Sequence, residues 1–244
     1  MHVKNEANMA RTFYNKINPK QYELRYKLFP RENYLHEHWY PEIKCLISKH
    51  CKGKTVLDLG CGTGFYIRLL SKYSSHVVGL DISKNMLGYA KAKILRNNVD
   101  FIIADAHHIP LKAESVDVSV CIGLLEYVDK FIVLKEIERI LVCNGLAIIC
   151  SPNKYSAHRI PIKIIAKLLN KKYPCKEPSI MELISALKGF DIITFKMDDG
   201  LIYLPNFLDK LIGKKIYLFV EKIFKPLPYI PFSNLILILG RLKV

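Results

Sequence analysis

The sequence predicts an α/β protein built on a doubly wound, mostly parallel sheet, and three observations carry that prediction. From Lys54 onward, short apolar runs rich in β-formers alternate with stretches of helical spacing. That is the βαβ rhythm of a sheet covered on both faces. The chain has 244 residues, half of them hydrophobic, enough for one large domain with a filled core. The first strand-like run also passes straight into a glycine loop and a helix, "VLDLGCGTG" at 56–64.

Taken in order, residues 1–53 are polar and aromatic-rich, and are expected to be helical in pieces. Pro41 suits the first turn of a helix ending near His50. Thr55–Leu59 reads as a buried strand, and Phe65–Tyr73 has helical spacing. His76–Leu80 is the second strand, and Ser83 caps a helix running to about Arg96. Val99–Ile103 and Asp117–Ile122 are the third and fourth strands. Asp129–Leu141 reads as a helix, with a turn at Asn144-Gly145 before a fifth strand, Leu146–Cys150. Beyond it come a helix capped by Ser179, a strand Asp191–Met197, and an amphipathic helix Asn206–Lys225 between Pro205 and Pro226. The final strand is "NLILILGRLKV". Residues 152–176 and 200–232 interrupt the rhythm, so the expected organisation is 1–53 followed by a core at 54–244 carrying two helical insertions.

Lys and Arg exceed Asp and Glu by 15. Such a surface favours anionic partners such as nucleic acid, membrane headgroups or an anionic substrate, or else reflects a compositional habit. The seven cysteines show no C-x-x-C pair and no Cys/His ligand spacing, which argues for reduced thiols in a cytoplasmic protein without a metal centre. The opening "MHVKNEANMA" is too polar for a signal peptide, and no apolar run is long enough to cross a bilayer.

The glycine loop follows a strand and opens a helix, so its N–H groups are expected to face a ligand. A dinucleotide site needs G-x-G-x-x-G, whereas the spacing here is G-x-G-x-G. A P-loop needs G-K-[ST], and Phe65 follows Gly64. Asp58 would repel phosphate and suits a ligand carrying positive charge. Asp81 ends the second strand, where a carboxylate reaches ribose hydroxyls in sheets of this kind. Asp105 ends the third strand, so three acids line one crevice rim.

These segments, "VLDLGCGTGFYIRLL", "VVGLDISKNML", "ADAHHIPLKAESVDVSVCIGLLEYV" and "RILVCNGLAII", resemble the successive motifs of S-adenosylmethionine-dependent methyltransferases of the Rossmann-like class. The likeness is nearest to the small-molecule and quinone-type branch and runs from about Lys54 to Cys150. It implies a Rossmann-like, seven-stranded, mostly parallel sheet with an antiparallel last strand. It also implies S-adenosylmethionine as cofactor. Gly60, Cys61 and Gly62 would then make room for its methionine part, with Asp58 near the charged end. Asp81 would bind both ribose hydroxyls, and Ile82 and Met86 would pack beside the adenine. Asp105 would accept from the adenine amino group with the Ala106 N–H nearby, and Ile122 would line the methyl group. The aromatic start "TFYNKINPKQYELRY" resembles the family's N-terminal lid, in which Tyr14, Tyr22 or Tyr26 closes over the cofactor or simply packs between helices.

The methyl acceptor is less legible. "CIGLLEYVD" lacks the Asn/Asp-Pro-Pro-aromatic motif of enzymes that methylate exocyclic amines of nucleic-acid bases. Cys175 sits in a Pro-Cys pair but too late in the chain to act on cytosine. His158, just after the fifth strand, is a candidate base or a solvated loop histidine; Tyr14 and Tyr127 come next. Of His107 and His108 at most one faces the cleft, and His36 and His38 lack the partners of a metal site. Lys163, Lys167 and Lys171 lie along one helical stripe of 159–174, with Ile164, Ile165, Leu168 and Leu169 among its apolar residues. Residues 206–224 repeat the mixture, with Phe207, Leu211, Tyr217 and Phe224. Both segments suit either a surface helix or a wall that meets lipid at a membrane surface. The expected activity is methylation at oxygen or carbon of a small or lipid-linked acceptor. The alternatives are a tRNA-modifying enzyme and a cofactor-binding partner subunit without catalysis.

Overall fold

A computed structural model describes residues 2–28, 30–154, 176–197 and 234–241. Helices α1 (His2–Lys16), α2 (Pro19–Leu28) and α3 (Pro30–His50) come first. Next are β1 (Thr55–Leu59), α4 (Ile67–Tyr73), β2 (His76–Asp81), α5 (Lys84–Lys93), β3 (Val99–Ile103) and β4 (Val116–Ile122). A single 3-10 turn, Leu125–Tyr127, leads into α6 (Lys130–Ile140) and β5 (Leu141–Pro152). The remaining described elements are α7 (Ile180–Ala186), β6 (Phe190–Met197) and β7 (Asn234–Arg241).

The seven strands form one sheet in the order β3-β2-β1-β4-β5-β7-β6. β1 to β5 are parallel, and β7 is antiparallel to both of its neighbours, β5 and β6. The chain steps outward from β1 to β3, then resumes at β4 on the other side of β1. The direction of winding therefore reverses between β1 and β4, and a crevice opens at their carboxyl ends. Alternating side chains of each strand feed two cores. Leu57, Leu59, Val78 and Leu80 pack with Val133, Leu134 and Ile137 of α6 and Leu183 of α7. Val56, Val77, Val118 and Val120 pack with Ile43 and Ile47 of α3, Ile67 and Leu70 of α4, and Leu87 of α5. That is the two-sided covering which the apolar runs require.

Three caps fix where the helices begin. Ser83 Oγ accepts from the Met86 N–H, Asp129 accepts from the Phe131 and Ile132 N–H groups, and Ser179 with Glu182 closes a capping box. Two expectations are corrected. Pro41 does not open a helix; Pro30 does, and Pro41 lies inside α3. Proline removes one helical hydrogen bond there, but the following turns bury Ile43 and Ile47 completely, and that packing carries the helix through. Asn144-Gly145 does not precede the fifth strand but bulges from within β5. Pairing jumps from Val116↔Leu141 to Val118↔Leu146, and Asn144 takes φ 62°. The expected helix 206–225 lies outside the described residues, as does nearly all of the 152–176 insertion.

Candidate functional site

The site begins where β1 ends. Gly60, Gly62 and Gly64 all have positive φ, 78°, 53° and 75°, a conformation that side chains resist. Their surroundings differ. A Cβ on Gly60 would stand 3.1 Å from Leu124 Cδ1, and one on Gly64 only 2.5 Å from Ile94 Cδ1. A Cβ on Gly62 would have nothing within 4 Å. The space expected at both Gly60 and Gly62 is thus filled by Leu124 at the first and left open at the second. Four of the loop N–H groups are also engaged within the protein rather than aimed at a ligand as expected. Gly60 and Cys61 donate to the Leu80 carbonyl at 2.8 and 3.0 Å, Gly62 donates to Asp81 Oδ2 at 2.9 Å, and Gly64 to the Cys61 carbonyl at 2.9 Å. The end of β2 and the loop itself consume them.

What the site offers instead is a pair of acids whose ionised forms a cation would favour. Asp58 is 2% exposed, and its Oδ2 has no hydrogen-bond partner among the described residues. Burial, followed by repulsion from Asp81, pushes its carboxyl up to about 8. Asp81 is half-buried and accepts from Ser83 N at 2.8 Å as well as from Gly62 N. Burial raises its carboxyl too, and these backbone N–H groups offset that only in part. Two carboxyls so placed disfavour each other's ionisation, and a cation between them would relieve both. Cys61 is buried near both; burial and the two acids hold its thiol far above the usual range, so it acts as a neutral filler.

Along the rim, Ile82 is half-buried, while Met86 in the first turn of α5 is 1% exposed and packed into the fold. Register pairs Asp81 with Ile103, so Asp105 lies two residues beyond on the adjoining strand end. Its Oδ1 accepts from both the backbone N and the ring Nδ1 of His107, at 3.0 and 2.6 Å. Burial works against the Asp105 carboxylate, but these bonds outweigh it and keep the group below its ordinary range. Ala106 and His107 are buried and His108 is exposed, and the His107 ring is engaged by Asp105. Ile122 ends β4 half-buried, beside the turn that brings Leu124 against Gly60.

The turn that carries Leu124 also holds part of an aromatic wall. The Tyr14 ring of α1 meets Tyr127 at 5.7 Å and Tyr22 at 6.0 Å, both edge-to-face. Burial, then the neighbouring Tyr22, raises the Tyr14 hydroxyl; a hydrogen bond with Tyr127 opposes this, and Glu126 adds to it. Tyr14 is held as a neutral phenol, suited to donate a hydrogen bond rather than to take a proton. Glu126, 6% exposed on the turn after β4, belongs to the same wall, and its carbonyl accepts from Lys176 N at 2.7 Å. It is not among the candidates named from the sequence, although a lone acid inside the apolar "GLLEYV" is a recognisable signal.

The N-terminal helices are pinned beside this crevice. Asn15 Oδ1 accepts from Ser83 Oγ at 2.8 Å and from Asn85 N at 3.3 Å. Asn85 Nδ2 in turn donates to the carbonyls of Asn15 and Ile17. On α2, Glu23 accepts from Arg68, from Tyr89 Oη at 2.8 Å and from Lys93 Nζ at 2.5 Å. His158, Lys163, Lys167, Lys171 and Cys175 lie outside the described residues, as do the side chains of Tyr26, His36 and His38. Among the described residues no group of three or more His, Cys, Asp or Glu is placed to hold a metal ion.

Comparison with known proteins accords with this geometry. A family model described as a methyltransferase domain matches residues 57–149, the span from within β1 through most of β5. An uncharacterized protein of Methanocaldococcus jannaschii is 30% identical over 201 residues, 81% of this chain and 80% of the relative. The chain belongs to the S-adenosylmethionine-dependent methyltransferases. This methyltransferase is also similar to the ubiquinone/menaquinone biosynthesis C-methyltransferase of Campylobacter jejuni. The two are 28% identical over 192 residues, 75% of each chain. Among solved structures, magnesium protoporphyrin IX methyltransferase from Synechocystis, with bound S-adenosylhomocysteine, superposes with a TM-score of 0.68. That pair shares 16% identity over 97% of this chain and 99% of the other. S-adenosylmethionine is the cofactor of the methyltransferase.

Proposed function

We propose that this methyltransferase methylates an oxygen or carbon of a small or lipid-linked acceptor that presents a planar, hydroxylated ring. The observation that carries the reading is the wall of Tyr14, Tyr22 and Tyr127 with the buried Glu126, joined to the turn that also sets Leu124 against Gly60. Edge-to-face aromatic side chains bind a flat ring with little loss of conformational entropy. The quinone-modifying relative in Campylobacter supports the same class.

The residues at the loop fit the cofactor. The unpartnered Asp58 Oδ2 suits its cationic end, and the open space at Gly62 suits its methionine part, beside the backbone of Gly60 and Cys61. Asp81 retains lone pairs for the ribose hydroxyls, with Ile82 and Met86 flanking the adenine and Asp105 and the Ala106 N–H at its polar edge. Ile122 and Leu124 face the reacting end. When bound, the cofactor supplies a methyl group on a positively charged sulfur, a good leaving group. The protein's part is to align the acceptor and keep water out, with a base where the acceptor must lose a proton. His158 is the proposed base, and Glu126 is the alternative within the described residues.

The test is a screen with methyl-labelled cofactor against hydroquinones, a lipid extract and bulk tRNA. Label in the ring compounds or lipid supports the proposal, and label in tRNA alone replaces it with the tRNA-modifying reading. No label anywhere, with cofactor bound, favours a partner subunit. A lipid acceptor would also bring the basic segment 159–174 to a membrane surface, which sedimentation with anionic vesicles checks. His158→Ala should lower turnover about a hundredfold with unchanged cofactor affinity.

A further inference from the structure

Asp105 is held by a side chain that the proposed chemistry does not use. The His107 ring is fully shielded, and both of its nitrogens are engaged. The backbone N–H of Asp129 points at Nε2 at 2.9 Å. An amide can only donate, so Nε2 must accept and the ring hydrogen sits on Nδ1. Nδ1–H therefore donates to Asp105 Oδ1 at 2.6 Å, and the His107 backbone N–H donates to the same oxygen at 3.0 Å. Asp129 in turn caps α6. A chain of hydrogen bonds thus runs from the start of α6 through one imidazole to the carboxylate at the end of β3.

We propose that His107 is a positioning residue for the cofactor: it occupies Asp105 Oδ1 and fixes the tilt of the carboxylate, leaving Oδ2 to receive the amino group of the adenine. This rests on the reading of Asp105 as an adenine contact. Two donors from one residue, on a ring clamped at its far side, leave the carboxylate little freedom to turn. The device thus sets selectivity for a 6-aminopurine. The arrangement also separates two functions of the ring, since Nδ1 serves the carboxylate and Nε2 serves α6.

The two functions can be tested apart. In His107→Asn the side-chain amide retains a donor near the Nδ1 position, and in His107→Gln an acceptor is retained near Nε2. Affinity is measured by calorimetry on the full chain for S-adenosylhomocysteine and for the analogue with hydrogen in place of the adenine 6-amino group. The wild type should prefer the amino compound about tenfold, the size of one hydrogen bond to a charged group. His107→Gln should lose that preference while binding the analogue as the wild type does, and His107→Asn should keep it. Undiminished preference in the Gln variant overturns the proposal. So does an equal loss for both ligands, which would make His107 a general support of the loop. If the wild type and Asp105→Asn bind the two ligands alike, it is the adenine role of Asp105 that fails. If the Gln variant does not fold, the Asn variant decides alone: loss of the preference with retained melting temperature overturns the inference.

Discussion

Asp81 fastens the glycine loop to the end of β2: its Oδ2 accepts the Gly62 N–H at 2.9 Å, and its Oδ1 accepts from Ser83 N at 2.8 Å. One carboxylate therefore shapes the loop, starts α5 and faces the crevice.

Replacing Asp81 should cost both binding and stability. Each hydrogen bond to a carboxylate contributes about 1.5–3 kcal/mol. Asp81→Ala is therefore expected to weaken S-adenosylmethionine binding at least tenfold and to lower the melting temperature by several degrees. Calorimetry and a thermal melt check both. Unchanged affinity would remove Asp81 from the site.

The three loop glycines should separate by their surroundings. Gly64→Ala drives a methyl into Ile94 and should mainly destabilise the fold. Gly62→Ala meets open space, so its stability loss should stay near the left-handed penalty of about 1–2 kcal/mol, while cofactor affinity falls about tenfold or more. Equal ratios of affinity loss to stability loss in the two variants would refute this division.

These contrasts show what the sequence could reveal. The strands, the caps at Ser83 and Ser179, and the three strand-end acids were legible, because each rests on local spacing and on a residue whose chemistry acts within a few positions. Leu124 filling the space at Gly60 was not legible, nor was Tyr14 meeting Tyr127, nor His107 reaching Asp129. Each joins residues from different elements, and only the packed sheet brings them together. Pro41 misled because tertiary burial of Ile43 and Ile47 overrode a local rule.

Cofactor affinity should depend on pH through Asp58. Its carboxyl is raised to about 8 in the free protein, so near neutrality it is largely protonated, and a cationic ligand favours its ionised form. Binding then releases a proton, and affinity should rise with pH up to about 8 and level off above. Asp58→Asn should flatten the profile. The same shift acts on folding with the opposite sign. The native state holds a proton that the unfolded chain gives up near the ordinary carboxyl range, so this group's contribution to stability declines as pH rises from about 4 to 8. Calorimetry in buffers of different ionisation heat counts the protons, and zero release at pH 7 would contradict the assignment.

Glu23 should govern the attachment of α2 more than the stability of the whole. Its partners Arg68 and Lys93 are partly exposed, and such pairs contribute about 0–1 kcal/mol each. Glu23→Ala is expected to raise amide exchange in α2 by several fold with a melting shift of only a few degrees. Unaltered exchange there would show that packing alone holds the helix.

The position of β7 bears on how the molecule comes to be made. This strand is the last described in chain order, yet it sits inside the sheet between β5 and β6. A nascent chain emerging from the ribosome can assemble β1 through β5 as it appears, because each new parallel strand finds its neighbour already present. β6 cannot join them, since its place is beyond a strand not yet synthesised. Until β7 emerges, the apolar margin of β5 and the whole of β6 stand open to solvent and to other chains. Final closure is thus a late, long-range event. The aggregation risk of this protein during synthesis should therefore be concentrated at that seam.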